Sequence, residues 1–157
     1  MLDHPQIRVL AATDLDAIIG LAASIPEAPR WPRSAWEQYL ADAEPPRRVF
    51  LAESGRELTG FLAGQMSVDM CELESIAVAP IHRRSGIATA LLAALIDWAR
   101  QRGASKVQLE VRCANDSAVS FYENSGFVRD GLRPRYYSNP EDDAMLMALT
   151  LAPPPQP

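Results

Sequence analysis

The chain has 157 residues, 48% of them apolar and 22% charged, the size and make-up of one ordinary domain with a substantial core. These proportions exclude a disordered chain, and no run approaches the ~18 apolar residues that a membrane span needs. A formal net charge of −5 argues against general nucleic-acid binding and is compatible with a cationic substrate.

The expected elements begin with a short strand at Ile7–Leu10. Thr13 or Asp14 is placed to cap a helix through about Ser24, with Leu15, Ile18, Ile19 and Ala22 on its apolar side. A proline-punctuated loop, IPEAPRWPRS, follows. Ser34 then precedes a short helix holding Trp36, Tyr39 and Leu40, closed by Pro45 and Pro46. Strands at Val49–Glu53 and Leu58–Val68 are joined by Ser54-Gly55-Arg56, which is hairpin chemistry. Cys71–Val78 is the next strand. Ile87–Gln101 is an amphipathic helix, with Ile87, Leu91, Leu92, Leu95, Ile96 and Ala99 at helical spacing, and Gly103 stops it.

Lys106–Arg112 alternates, with Val107, Leu109 and Val111 on one side and Gln108 and Glu110 on the other. Asn115–Ser125 is a helix ended by Gly126. The last strands fall at Phe127–Leu132 and Met145–Leu151, separated by a polar loop containing Tyr136 and Tyr137. Strands interrupted by helices, after an antiparallel start, indicate a mixed α/β sheet within one domain at residues 1–151. The proline-rich tail at 152–157 is expected to be disordered. Trp98 reads as a core or interface residue. The N-terminus, MLDHPQIRVL, lacks the pattern of a secretion signal, so a cytoplasmic protein is expected. Cys71 and Cys113 have no metal-ligand spacing to each other or to His4 and His82. They read as free core thiols, and no metal is expected.

The most informative segment is His82-Arg83-Arg84-Ser85-Gly86-Ile87-Ala88-Thr89. It follows an apolar strand and opens a helix, so several backbone N–H groups lack carbonyl partners and point one way, backed by the helix dipole. That is an anion site. Gly86 lets a ligand approach the backbone, Ala88 and Thr89 keep the first turn slim, and Arg83 and Arg84 add charge. The spacing fits neither a dinucleotide fingerprint nor a Walker loop.

Arg83-x-x-Gly86-x-Ala88 resembles the pyrophosphate signature Q/R-x-x-G-x-G/A of the GNAT (Gcn5-related) N-acetyltransferases. Glu74–Pro80 is similar to that family's fourth strand, and LEVRCANDSAVSFYENSGF at 109–127 supplies a third motif in the right order. The resemblance implies a central mixed sheet splayed between strands four and five, flanked by helices, with acetyl-CoA as cosubstrate. It implies that Ile76, Ala77 and Val78 bond the pantetheine arm and that Arg84, Ser85, Gly86, Ile87, Ala88 and Thr89 hold the pyrophosphate beside Arg83. Asn115 matches the family's cofactor-contacting asparagine, and can also serve as a plain helix cap. Closer still, LEVR-x-x-N-x-x-A with FYENSGF, Arg135-Tyr136-Tyr137 and EDDAMLM is similar to the ribosomal-protein alanine N-acetyltransferases (RimI-like). The segment at Trp31 departs from that group: Arg30 and Pro32 flank the tryptophan, and Trp36 replaces a phenylalanine.

Acyl transfer from a thioester to an amine needs a neutral nucleophile, oxyanion stabilisation and a proton for the thiolate. About a tenth of an α-amine of pKa near 8 is neutral at pH 7, against well under a thousandth of a lysine, a gap of roughly 3 kcal/mol. Glu110 matches the base of the RimI-like motif; its other reading is a solvent-facing residue or a partner for Arg112. Glu72 matches the base position of the histone-acetyltransferase branch. With Glu74 it can instead form an acidic lip for a cationic peptide. Tyr122 matches the family's tyrosine near the acetyl-CoA sulfur and carries a donatable proton at neutral pH. Phe121 is the more natural core residue of that pair. Trp31, Tyr136 and Tyr137 are candidate acceptor contacts. Three functions stay open: acetylation of a protein N-terminal α-amine, acetylation of a small-molecule amine, and acyl-CoA binding without catalysis. A monomer or a homodimer fits equally, with no nucleic-acid or membrane partner.

Overall fold

The computed structural model describes residues 4–152, so of the expected tail only Ala152 falls within it. In chain order the elements are β1 (Gln6–Val9), α1 (Leu15–Ser24), α2 (Arg33–Glu37), β2 (Arg47–Ser54), β3 (Glu57–Ser67), β4 (Met70–Val78), α3 (Ile87–Gln101), β5 (Lys106–Arg112), α4 (Asp116–Asn124), β6 (Val128–Tyr137) and β7 (Asp142–Thr150). They build one seven-stranded sheet in the order β1-β2-β3-β4-β5-β7-β6. All neighbours are antiparallel except β4 and β5. The mixed α/β sheet expected from the sequence is therefore present.

Alternation along the strands sends side chains to two cores. On one face, Phe50, Leu62, Leu73, Val107 and Leu109 pack under Leu91, Leu92, Leu95 and Trp98 of α3. On the other, Val49, Leu51, Phe61 and Ala63 pack under Ile18 and Ala22 of α1 and the fully buried Trp36 of α2. Gly64 makes the α3 contact possible, because a Cβ there would meet Leu95 Cδ1 at 2.5 Å.

Two irregularities in β4 shape everything downstream. Against β3 the register slips, so that Ser75 opposes Ala63, Leu73 opposes Gly64, and Glu74 is left over as a bulge. The extra residue puts Leu73, Ile76 and Val78 toward the α3 core while Ala77 joins the opposite one. Against β5, parallel pairing lasts only from Met70↔Lys106 to Glu72↔Gln108. Past that point the two strands part, and the sheet opens between them.

Several expectations need correction. Asp14 directly precedes α1 but makes no side-chain cap there. Its carboxylate instead accepts from the two terminal Arg8 guanidinium nitrogens at 2.7 and 2.8 Å and from the Ala11 N–H at 2.8 Å. Ser34 lies inside α2, whose first turn follows Pro32, and Tyr39 and Leu40 lie beyond the helix end. Cys71 is buried, but Cys113 is only partly so. Trp98 is core. The β6–β7 hairpin runs further than expected: pairing continues through Arg133↔Ala144, slips, and closes at Tyr137↔Asp142. Tyr136 and Tyr137 therefore end a strand rather than sit in a loop. The segment reads as polar because β6 is an uncovered edge strand, exposed along nearly its whole length. Among the described residues no helix is long and apolar enough to cross a membrane, and no cluster of three or more His, Cys, Asp or Glu side chains could hold a metal.

Hydrogen bonds from Arg8 hold the Asp14 carboxyl below its ordinary range, partly offset by its burial. Stability from this group is present above the unfolded carboxylate pKa of about 3.9 and is lost as pH falls through the lower folded value. Asp14→Asn should therefore cost about 1–3 kcal/mol at pH 7 in urea unfolding. The gap from wild type should shrink as pH falls through the lowered folded value and the Asp14 carboxyl takes up its proton.

Candidate active site

Beside the end of β4, beyond its last pairing with β5, lies a cavity of about 580 Å³. One wall is the end of β4, with Ile76, Ala77 and Val78; another is the loop and first turn of α3, with Arg83, Arg84, Gly86, Ile87, Ala88 and Thr89; the third is α4, with Asn115 and Tyr122. Ser85 alone of the expected cofactor residues does not line it, and its hydroxyl turns back to the His82 carbonyl. The loop is shaped as an anion cradle. Arg84 and Gly86 both have positive φ, +64° and +83°, which turns successive N–H groups inward. The first helical bond runs from the Ala90 N–H to Gly86, so the N–H groups of Ile87, Ala88 and Thr89 have no helical partner. A Cβ on Gly86 would meet nothing within 4 Å, so the space in front of the loop is open to a ligand. Free donors, two guanidiniums and open volume together fit a pyrophosphate-bearing cofactor.

Tyr122 is 6% exposed, and its ring packs at 5.3 Å from Phe121 and 5.5 Å from Phe127. Burial, with a smaller contribution from Tyr137, pushes its phenol well above the ordinary range, so the proton stays on. The order expected for the aromatic pair is reversed: Tyr122 is the buried member and Phe121 the half-buried one. Asn115 caps α4, its side chain accepting from the Ala118 N–H at 3.2 Å while it also lines the cavity, so the capping reading is met.

On the opposite face of the sheet the same opening is acidic. Glu110 is half-buried on β5, on the side away from Val107, Leu109 and Val111. Glu72 pairs in register with Gln108 on that same side, and Glu74 bulges next to it. Burial first, then the charges of Glu74 and Glu110, raise the Glu72 carboxyl, with Arg133 opposing. The partner of Glu110 is Arg133, 3.2 Å away on β6. Arg112 instead donates to the Pro140 carbonyl at 2.8 Å and lies 4.4 Å over the Tyr137 ring. Tyr136, half exposed, has its phenol raised by Glu110, as hydrogen-bond partner first and as charge second. Tyr137 is raised by burial and then by Glu110.

The α2 region closes the other flank. Trp31 stacks on Tyr39 at 5.7 Å, and the Tyr39 hydroxyl donates to Glu74 at 2.8 Å. Arg30, the departure from the RimI-like pattern, donates to the Ala22, Ile25 and Ala28 carbonyls and so caps the end of α1 rather than facing the acidic opening. Sequence reasoning gave no site role to Tyr39, Arg133, Ile25, Glu27 or Phe121. Ala118 was findable, since it stands four residues before Tyr122 on the same helical face. Contacts with Tyr39, Arg133 and Glu27 cross long stretches of sequence and carry no local signal.

The fold and both faces of this opening define an acetyl-CoA-dependent N-acetyltransferase, and the sequence agrees. Residues 9–127 match the acetyltransferase (GNAT) family, and the chain belongs to it. Among its relatives, the [ribosomal protein bS18]-alanine N-acetyltransferase of Escherichia coli K12 is 36% identical over 65% of this chain and 70% of its own. The N-alpha-acetyltransferase RimI of Mycobacterium tuberculosis is 37% identical over 74% of this chain and 73% of its own. The crystal structure of the ribosomal-protein-S18-alanine N-acetyltransferase from Escherichia coli superposes with a TM-score of 0.82 at 29% identity, covering 98% of this chain and 99% of that one.

The raised Glu72 carboxyl has a consequence for stability. Its ionised form is less favourable folded than unfolded, so the fold loses stability as pH rises through the unfolded value of about 4.3 toward the raised one. Glu72→Gln should raise the melting temperature at pH 7, and thermal scans should show the gain vanish below about pH 4.

Proposed function

We propose that this enzyme acetylates the N-terminal α-amine of a protein, of the alanine type, with Glu110 as base and Tyr122 as acid. The observation that carries the reading is the placement of three carboxylates, Glu72, Glu74 and Glu110, on the sheet face opposite the donor cavity, around one opening. An ammonium group is drawn to such a face, while the anionic cofactor is drawn to the arginine loop behind it. The names of the RimI-type relatives support the same acceptor, and an α-amine is the chemically easier nucleophile by roughly 3 kcal/mol than a lysine. One chain supplies every residue named, so the reading holds for a monomer or a homodimer. Residues 1–151 act as one domain in it, and the cytoplasm is its setting.

In this reading the α3 loop holds the pyrophosphate on the N–H groups of residues 84–89, with Arg83 and Arg84 as counter-charges. Ile76, Ala77 and Val78 offer the free edge of β4 to the pantetheine arm, and Asn115 contacts the same arm. The cofactor supplies the acetyl thioester. Glu110 removes the proton from the incoming ammonium, and Tyr122 donates its phenol proton to the departing sulfur. Glu72 and Glu74 form the acidic lip. Trp31, Tyr136 and Tyr137 hold the acceptor's first residues from either side.

Glu110→Gln should lower kcat by about 10²- to 10⁴-fold, and Tyr122→Phe should lower kcat with little change in acetyl-CoA affinity. If Glu110→Gln kept full kcat and its pH dependence, the base would pass to Glu72, to be checked with Glu72→Gln. The acceptor is tested with acetyl-CoA against Ala-, Ser- and Met-starting peptides, a lysine peptide with a blocked terminus, and a panel of small amines. Preferred turnover of the Ala peptide is expected. Turnover of the small amines alone would overturn the α-amine reading and leave the donor chemistry standing.

A further inference from the structure

Glu27 lies in the segment between α1 and α2 and lines the donor cavity opposite the α3 loop. Its Oε2 is 3.0 Å from the Arg83 guanidinium. The same guanidinium donates from Nε to the Val78 carbonyl at 3.1 Å. Arg83 is thus held by two of the protein's own acceptors, both on the walls of the space where the proposed donor site needs it free for phosphate. Its hydrogen bond keeps the Glu27 carboxyl below its ordinary range, so a full negative charge stands at the rim at neutral pH.

A carboxylate facing a pyrophosphate site is a local contradiction, and its sign can be worked out. Both partners are largely exposed, at 43% and 63% of their side-chain surface, so the pair is weak and yields to a better acceptor. A pyrophosphate, with more charge and more oxygens, is that acceptor. Once Arg83 turns to it, Glu27 is left without its cation and next to a dianion. We propose that Glu27 is a counter-charge that competes with the cofactor's pyrophosphate for Arg83, loosening both acetyl-CoA and the CoA product. This rests on the donor assignment above. Its value to the enzyme is release: a family-type cradle of backbone donors and two arginines binds both forms of the cofactor, and the competing carboxylate speeds the departure of the spent one.

The opposite role, in which Glu27 positions Arg83 for the phosphates, predicts the opposite sign. Calorimetric titration of the full chain with acetyl-CoA and with CoA decides between them. Glu27→Gln keeps the shape and removes the charge, and it should tighten both ligands about threefold to tenfold, with the gain shrinking as salt rises. Glu57→Gln, which removes an exposed charge at the start of β3, controls for net charge and should leave both affinities unchanged. The KM for acetyl-pantetheine, which carries no phosphate, should be the same in wild type and Glu27→Gln. Unchanged or weaker binding by Glu27→Gln would overturn the proposal, as would equal tightening in Glu57→Gln or an equal change with acetyl-pantetheine. If wild-type protein bound neither acetyl-CoA nor CoA, the donor assignment itself would fall, and the role of Glu27 with it.

Discussion

The parting of β4 from β5 is the constraint on which the site depends. Two parallel strands that pair over three residues and then separate leave a row of backbone donors and acceptors facing an opening instead of each other. In a closed sheet the residues after Glu72 would spend their edge on β5, and no ligand could reach it. Here β4 stays fixed to β3 up to Gly60↔Val78, and β5 stays fixed to β7 up to Arg112↔Ala144. Each lip is therefore rigid on one side and free on the other. That is a frame for a substrate with amides of its own, which the pantetheine arm of acetyl-CoA has.

The opening also separates charge. The chain is acidic overall, yet Arg83 and Arg84 gather on the α3 side while Glu72, Glu74 and Glu110 gather on the other. Neither arrangement is favourable alone. Burial, and then repulsion among the carboxylates, raises the Glu72 carboxyl, and Arg84 sits at a positive φ that side chains other than glycine adopt at a cost. Strain and repulsion of this sort persist where the surrounding structure over-determines them, here the seven-stranded sheet and the two cores on its faces. A cation held on the acidic face relieves the repulsion among these carboxylates.

Much of this was legible in the sequence because it is local. The α3 loop, the alternation that turns Glu110 away from the core, and the cap at Asn115 all involve residues within a few positions of each other. What escaped depends on register and on long-range partners. Nothing in Cys71–Val78 marks Glu74 as the extra residue, since a bulge is a property of the pair with β3 and not of β4 alone. Glu110 has an arginine two residues away that sequence makes its natural partner, yet the hairpin brings Arg133 to it and sends Arg112 to Tyr137. The polar stretch before Tyr136 reads as loop because polarity alone does not distinguish a loop from an edge strand with both faces in water.

These two classes of residue divide along the reaction. The candidate donor residues lie on β4, α3 and α4, and all three elements are tied into the main core, so their positions are over-determined. Acceptor candidates lie on the outer elements. Tyr136 follows a register slip after Arg133 and a positive φ at Arg135, on a strand that nothing covers. Trp31 and Tyr39 stand on the segments flanking a five-residue helix, tied to the sheet's acidic edge by the Tyr39–Glu74 hydrogen bond. The exposed β6 tolerates substitution, because changing it disturbs little packing. The physical consequence is that one sheet can keep its acetyl-CoA machinery fixed while the acceptor is rewritten at its margins. Arg30 shows this tolerance: it departs from the RimI-like pattern, yet it is absorbed as a cap on α1 without touching the donor cavity.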